Sequence, residues 1–248
     1  MEELIDKLKD IQTEKDTKII PGNIKAGVTV LGVTGELSPE DPEYDTNLAL
    51  SENILGGDAL YTPLQYIQSS GTQYIDLNFR GDLNATTLVF QVVTAFVAHG
   101  ASDYSLHGTG NWYLGWRKSD TQVVFGAAST YLTSITGDTA PHTFYLNCLQ
   151  GKYGYDTQSW TFTAREKAVE NPMLLFGWQS DMLFSAKVYE CYIYNGYESD
   201  GTTLHLVRHL IPVKRNSDDE VCMYDTVSAT FFTNQGTGSF IAGPAKTN

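Results

Sequence analysis

Apolar positions that alternate or cluster between turn residues predict a chain built mainly from β-strands. From residue 186 to 243, runs rich in Val, Ile, Tyr and Phe are interrupted by Asn-Gly, Asp-Gly and Gly-Thr-Gly. In the first run the side chains alternate between two strand faces, Tyr189, Cys191 and Ile193 on one and Glu190, Tyr192 and Tyr194 on the other. Asn195-Gly196 is predicted to end this strand, because both residues accept the positive φ of a tight turn. The segment therefore predicts an antiparallel meander.

The middle of the chain continues this pattern. Residues 87–97 are almost continuously apolar, as in a strand at the centre of a sandwich. One strand face is predicted to carry Trp112, Leu114 and Trp116, and the other Tyr113 and Arg117. Further strands are predicted at 123–127, 143–149, 173–178, 204–213, 221–224 and 230–233. About a dozen short strands with regular turn signals predict a mainly β fold, a sandwich of two antiparallel sheets.

Residues 1–18 have a different period and predict a short N-terminal helix. Its apolar stripe consists of Met1, Leu4, Leu8 and Ile11, spaced three, four and three residues apart, the a/d spacing of a coiled coil. Two heptads are not stable alone in water, so the stripe must be covered. It can pack on its own domain or form a parallel bundle between identical chains. The bundle is favoured because no other helix is predicted that could serve as a partner.

Two turn-rich segments separate this helix from the β domain. Residues 19–37 combine Pro21-Gly22 with glycines between valines, which predicts small β-turn units. Residues 38–60 are acidic, contain two prolines and a Gly-Gly pair, and predict an extended linker. The β domain is assigned to 61–243, and residues 244–248 to a short tail.

Charge and cysteine content restrict the classes of function. The net charge of −13 argues against binding nucleic-acid phosphates and disfavours anionic membranes. Three cysteines without paired spacing give neither a disulfide framework nor a zinc motif, and they predict folding in a reducing cytoplasm. No signal peptide and no apolar run of the ~20 residues needed for a membrane span are present in the sequence.

A short stretch of the N-terminal region resembles a motif that recurs in bacteriophage tail and tail-fibre proteins. The matching residues are Ile20-Pro21, Asn23-Ile24-Lys25, Gly27-Val28-Thr29 and Gly32-Val33-Thr34-Gly35. The resemblance implies that residues 19–37 attach the chain to other virion proteins, and that the chain is located in the virion. It also implies that the predicted bundle is a homotrimer.

The two ends of the β domain resemble a second phage element, a concanavalin-like (laminin-G-like) jelly-roll domain. Its opening matches Leu64, Tyr66-Ile67, Ser70-Gly71-Thr72-Gln73-Tyr74-Ile75-Asp76 and Phe79. Its ending matches Val188-Tyr189, Ile193-Tyr194-Asn195-Gly196, Leu210-Ile211-Pro212, Met223-Tyr224-Asp225, Phe232-Thr233-Asn234 and Gly236-Thr237-Gly238. The resemblance implies a jelly-roll sandwich over 61–243 with a lectin-like role. Because the middle departs from the family pattern, specificity is expected in the loops between 98 and 181.

The sequence offers no visible catalytic set. The Glu-x-Asp-x-x-Glu carboxylates of glycoside hydrolases on this fold are absent, and so is a Gly-x-Ser-x-Gly elbow. The five histidines are scattered, which favours packed or solvated side chains over metal ligands. The chain is therefore predicted not to be an enzyme, and no catalytic residue, metal or cofactor is assigned.

Aromatic residues remain as candidates for carbohydrate binding, since flat rings stack on the apolar C–H faces of sugars. The candidates are Tyr113 with Arg117, and Trp178 with Asp181. For any single ring the competing interpretation, core or inter-subunit packing, is favoured.

Two functional hypotheses follow. The first is a structural and adhesive component of a phage particle (tail fibre, baseplate or receptor-binding protein) that displays a lectin-like domain to host cell-surface glycan. The second is a capsid or tail decoration protein of the head-fibre type, which acts through protein contacts only and binds no glycan.

Overall fold

The computed structural model describes residues 29–30, 33–34, 60–79, 87–110, 112–127, 129–163, 171–178 and 182–246. Within these ranges the chain is all β, with nineteen strands and no helix, so no helix there could span a bilayer. The helix predicted at 1–18, with Met1, Leu4, Leu8 and Ile11, and the linker predicted at 38–60 lie outside the described residues. The chain divides into two compact units, Met1–Leu60 and Tyr61–Asn248.

In the first unit, two short strands form an antiparallel pair. They are β1 (Thr29–Val30) and β2 (Val33–Thr34), with Thr29 opposite Thr34 and Val30 opposite Val33. This pair falls within the segment that was predicted to form small β-turn units.

The second unit contains two antiparallel sheets. The six-stranded sheet is built from β5 (Ile75–Asp76), β7 (Tyr104–Thr109), β8 (Trp112–Arg117), β9 (Gln122–Ala127), β10 (Thr130–Thr136) and β14 (Leu174–Leu175). Its spatial order is β10-β9-β8-β7-β14-β5. The meander β7 to β10 thus supplies four neighbouring strands, and the short β14 joins it to β5 at the edge.

The eleven-stranded sheet contains the remaining strands of the second unit. They are β3 (Tyr61–Pro63), β4 (Ile67–Gln68), β6 (Leu88–Ala98), β11 (His142–Asn147), β12 (Lys152–Tyr155), β13 (Gln158–Thr161), β15 (Ser185–Tyr197), β16 (Leu204–Arg215), β17 (Val221–Asp225), β18 (Thr230–Phe232) and β19 (Ile241–Ala242). Its main order is β13-β12-β11-β6-β15-β16-β17-β18, with β3 paired to β16 and β4 paired to both β15 and β19. The predicted mainly β fold of two antiparallel sheets is confirmed.

The core lies between the two sheets. Trp116 of the smaller sheet meets Phe144 of the larger one edge-on, with ring centroids 4.9 Å apart. Trp112, Leu114 and Trp116 are all buried in this core, while Tyr113 belongs to a separate cluster on the opposite face. The alternation predicted for this strand is therefore confirmed.

Strand β15 corrects two predictions. It continues to Tyr197 instead of ending at Asn195-Gly196, because Gly196, with φ of 72°, forms part of a register shift between Tyr194 and Tyr197. The turn follows later, where the Gly201 N–H donates to the Glu198 carbonyl at 2.9 Å.

A second irregularity in β15, between Val188 and Glu190, changes the predicted faces. The bulge leaves Val188 and Cys191 in the core and Tyr189 only half-buried. The Tyr189 ring instead contacts Tyr66 at 5.4 Å. Tyr189 therefore does not share the core face of Cys191, because a bulge adds one residue to the period of two.

The strand predicted at 173–178 is shorter than expected. Only Leu174–Leu175 forms a strand, because Phe176 has φ of 63° and turns the backbone out of the sheet.

The two ends of the domain meet at the side chain of Gln73, which is only 2% exposed. Its Oε1 accepts hydrogen bonds from the Ser70 N–H at 2.8 Å and from the hydroxyls of Ser69 and Ser70 at 3.1 Å. Its Nε2 donates to Thr72 Oγ1 at 2.9 Å and to the Thr237 carbonyl at 3.0 Å. One buried amide therefore fixes the 69–73 loop and ties it to the C-terminal segment.

Backbone contacts extend this junction. The N–H groups of Gln235 and Thr237 donate to the carbonyls of Tyr74 and Thr72 at 2.9 and 3.0 Å. A Cβ at Gly236 would lie 2.1 Å from the Thr72 carbonyl oxygen, so only glycine permits this approach of the two backbones.

A second buried polar group, His107, links the two sheets across the core. The Phe176 N–H donates to His107 Nδ1 at 3.1 Å, so the ring proton lies on Nε2, which contacts Thr94 Oγ1 at 3.2 Å. Thr94 in turn donates to the Lys187 carbonyl at 2.8 Å. Complete burial lowers the pKa of His107 to about 3.

We expect Gln73→Ala to lower the free energy of unfolding by about 2–4 kcal/mol, because it removes five hydrogen bonds of a buried amide, one of them from the buried Ser69 hydroxyl. Gln235→Ala is the matched control. This amide is exposed and makes one long contact, to the Thr233 carbonyl at 3.4 Å, so its effect should stay within about 0.5 kcal/mol. Chemical denaturation measures both, and equal effects of the two substitutions would contradict the role assigned to Gln73.

His107 should make the domain less stable in acid. Its folded-state pKa, about 3, lies below the unfolded value of 6.5, so the unfolded chain binds the extra proton between these pH values. The contribution is full above pH 6.5 and falls by about 1.4 kcal/mol per pH unit as the pH drops towards 3. Denaturation at several pH values should show a shallower slope for His107→Gln in this window, and parallel curves would rule out this linkage.

Candidate functional site

The outer face of the six-stranded sheet carries two of the predicted carbohydrate-binding residues. Tyr113 packs there with Leu106 and Val124, and Tyr104 and Trp178 pack against this cluster. We call Tyr113 and Trp178, with the backbone around Gly110, the aromatic surface.

The Tyr113 ring lies flat over the neighbouring strand because its partner there is a glycine. Tyr113 is opposite Gly126 of β9, and a Cβ at position 126 would lie 2.3 Å from the ring. The Tyr113 hydroxyl is hydrogen-bonded to Thr130 Oγ1 at 2.6 Å. Burial raises the pKa of Tyr113, so the phenol stays neutral. With 8% exposure, the ring is mainly a support for its neighbours.

Trp178 is the more accessible ring of the aromatic surface, since it is half-buried. It contacts Tyr113 edge-to-face, with ring centroids 5.5 Å apart and planes at 68°. Its Nε1–H donates to the Gly110 carbonyl at 2.8 Å. The indole is therefore fixed at its polar edge and supported on one side by Tyr113.

The other two predicted residues are not part of this contact. Arg117 lies on the same face of β8 but about 13 Å further along the strand. Its guanidinium forms an ion pair with Asp120 and donates to Gln122 Oε1 at 2.9 Å. The hydrogen bond from Arg117 is the main cause that lowers the pKa of Asp120. Asp181 lies outside the described residues.

A second polar constellation lies on the outer face of the larger sheet. His209 Nε2 lies 2.8 Å from Glu190 Oε1, and His209 Nδ1 lies 3.0 Å from Thr226 Oγ1. Tyr192 stacks on His209 at 4.4 Å and donates to the same Glu190 oxygen at 2.7 Å. Burial opposes ionisation of Glu190, but the hydrogen bonds from His209 and Tyr192 outweigh it and lower the pKa of Glu190. This carboxylate therefore serves as the common acceptor that joins β15 to β16.

A third constellation surrounds His142 at the start of β11. Its Nδ1 lies 2.6 Å from Asp156 and its Nε2 lies 2.8 Å from Asp138. Burial lowers the pKa of His142, but the two carboxylates outweigh this effect and the net shift is upward. Both ring nitrogens can donate only in the imidazolium form, so protonation strengthens this contact between two loops. Among the described residues, no group of three or more His, Cys, Asp and Glu side chains could hold a metal ion.

The sequence analysis did not identify Gly126 and Thr130, which position Tyr113. A usable signal exists for the first, because a glycine inside the apolar run 122–127 marks close approach by another group. No comparable signal marks Thr130, since a threonine in a strand is ordinary.

Comparisons of the chain with protein-family models, with curated proteins and with solved structures found no match. The functional assignment below rests on the sequence resemblances and on the geometry of the described residues.

The fit of Tyr113 over Gly126 can be tested by a double-mutant cycle. Gly126→Ala should lower the free energy of unfolding by about 1–3 kcal/mol, because the new methyl group displaces the Tyr113 ring. In a Tyr113→Ala background the same substitution should cost much less, since the clash is gone. Additive costs in chemical denaturation would show that the ring does not lie over Gly126.

Proposed function

We propose that this chain is a structural and adhesive component of a bacteriophage particle, in which a concanavalin-like jelly roll is displayed to the host surface. The observation that carries the proposal is the junction at Gln73. The opening and ending of the domain resemble the same phage family, and residues of both stretches meet at one buried amide. Two distant stretches that share a family pattern and also contact each other support a common origin better than either stretch alone.

The remainder of the chain has a place in this proposal. The stripe of Met1, Leu4, Leu8 and Ile11 is assigned to a parallel bundle between identical chains, and the phage resemblance implies that this bundle is a trimer. Residues 19–37 attach it to other virion proteins, and the acidic segment 38–60 is the spacer. The chain folds in the host cytoplasm before the virion assembles, and no catalytic role is proposed.

Recognition of host glycan is assigned to the aromatic surface. Trp178 offers an indole ring that is fixed by Gly110 and supported by Tyr113. Such rings bind the C–H faces of sugars while nearby polar groups set the orientation. Arg117 is assigned to contact more distant units of a longer glycan, and Asp181 remains a candidate from the sequence.

A second candidate, decoration of a capsid or tail through protein contacts only, is favoured by one observation. Among the described strands, β10 lies at an edge of the six-stranded sheet, and its Leu132 is 44% exposed. An edge strand with an exposed apolar side chain suits pairing with a neighbouring protein.

The two candidates are separated by locating the chain in intact particles by electron microscopy and by measuring host adsorption. For an adhesive protein, the sandwich surface should be free of neighbours, and Trp178→Ala should slow adsorption at least tenfold while the protein is still incorporated. Tyr197→Ala, which removes an exposed ring far along β15, is the control and should adsorb normally. Normal adsorption of Trp178→Ala, with neighbours covering the sandwich, would support decoration. Absence of the chain from particles would refute both candidates.

A further inference from the structure

A groove of about 470 Å³ lies beside the Gln73 junction, and none of its described lining residues belongs to the aromatic surface. Its walls come from four segments of the domain. The lining residues are Gly71, Thr72, Tyr74, Gly100, Ala101, Leu183, Gln235, Gly236 and Thr237. Its volume falls within the range of about 300–1,000 Å³ that is typical of small-ligand sites.

The groove is pre-formed, because its walls are held by backbone contacts. Gly236 packs on the Thr72 carbonyl, and a Cβ at Gly100 would lie 1.8 Å from the Leu183 carbonyl oxygen. Both approaches require glycine. The Gln73 side chain stabilises the first of them, because its Nε2 donates to the carbonyl of the neighbouring Thr237. A ligand that enters this groove therefore does not have to order its walls, a cost that otherwise weakens binding.

The polar groups of the lining are suited to a ligand with several hydroxyls. Within the described part of the chain, the hydroxyls of Tyr74 and Thr237 have no hydrogen-bond partner, and the Gln235 amide makes only the 3.4 Å contact to Thr233. Hydroxyl and primary amide groups both donate and accept. The half-buried Tyr74 and the side chains of Ala101 and Leu183 add apolar area beside them.

None of the described residues that line the groove carries a charge, and the whole chain carries a net charge of −13. An anionic ligand would leave water without gaining a cationic partner and would be repelled by the long-range field. Lys118 donates to the Gly100 carbonyl at 3.4 Å but is not one of the described lining residues. The chemistry of the groove therefore favours a neutral ligand.

We propose that this groove is a saccharide-binding site, distinct from the aromatic surface, that accepts one or two neutral sugar units. The Gln235 amide and the Thr237 hydroxyl bind the sugar hydroxyls, and Tyr74 contacts the apolar C–H face. As a contact with a host receptor the site rests on the proposed function, but as a binding site it depends only on the geometry of this domain.

The test uses the full chain in saturation-transfer NMR with glucose, galactose and N-acetylglucosamine as neutral probes and glucuronate as the anionic counterpart of glucose. At least one neutral sugar should bind saturably, and glucuronate at least tenfold more weakly than the neutral sugar that binds best. Tyr74→Ala and Gln235→Ala should each raise Kd at least tenfold. Tyr197→Ala, which removes an exposed ring outside both the groove and the aromatic surface, is the matched control and should change Kd less than twofold.

Several results would overturn the proposal. The first two are the absence of saturable binding by all three neutral sugars and binding of glucuronate as tight as that of the best neutral sugar. The third is loss of sugar binding in Trp178→Ala but in neither Tyr74→Ala nor Gln235→Ala. The fourth is binding of an uncharged tripeptide when no sugar binds. Circular dichroism and denaturation verify that the variants are folded, and Gln235→Ala is the substitution least expected to disturb the fold. If no sugar binds in the NMR test but the chain is present in particles that adsorb normally, only the proposed groove site is refuted. If the chain binds a sugar but is absent from particles, only the proposed function is refuted.

Discussion

The buried amide of Gln73 is the interaction on which the rest of the domain depends. An amide is the one uncharged side chain that can both accept and donate several hydrogen bonds at opposite ends, and here each end serves a different part of the chain. The carbonyl end closes the 69–73 loop, and the amino end holds the segment around Thr237. Strand β4 directly precedes this loop and strand β19 follows this segment, and the two strands pair with each other. Loss of this link would free β4 and β19 together.

His107 provides the second constraint and explains why two sheets with a largely apolar core keep one relative position. Apolar contacts alone tolerate sliding, because dispersion is not directional. The chain of bonds from Phe176 through His107 and Thr94 to Lys187 is directional, and any displacement would leave buried polar groups unpaired. The neutral imidazole therefore fixes the position of one sheet relative to the other through its hydrogen bonds. By contrast, His142 lies at the surface between two carboxylates and holds its loops best when charged.

The sequence predicted the strands well where a period of two was uninterrupted. The faces of β8 follow directly from Trp112 to Arg117, since alternation depends only on local backbone geometry. Prediction failed at the bulges of β15, because Asn195-Gly196 suits a bulge as well as a turn and the pattern does not distinguish them. The pairing of β14 with β7 was also out of reach, because periodicity says nothing about which strands become neighbours. For the same reason, Tyr113 and Trp178 could be proposed as two separate candidates but not as neighbours on one surface. The groove was not predicted at all.

The pairing near the domain boundaries has a consequence for how such a domain can be used. Lys246 donates to the Pro63 carbonyl at 2.9 Å, and Leu64 bridges to Ala245, so the polypeptide enters and leaves the sandwich at one place. A unit with adjacent entry and exit behaves as a cassette, which can be inserted into a loop of a host scaffold or exchanged between scaffolds without stretching either chain. It can also be circularly permuted, with new ends opened in a distant surface turn. Transfer of such a unit between carriers then requires only a matched pair of junctions.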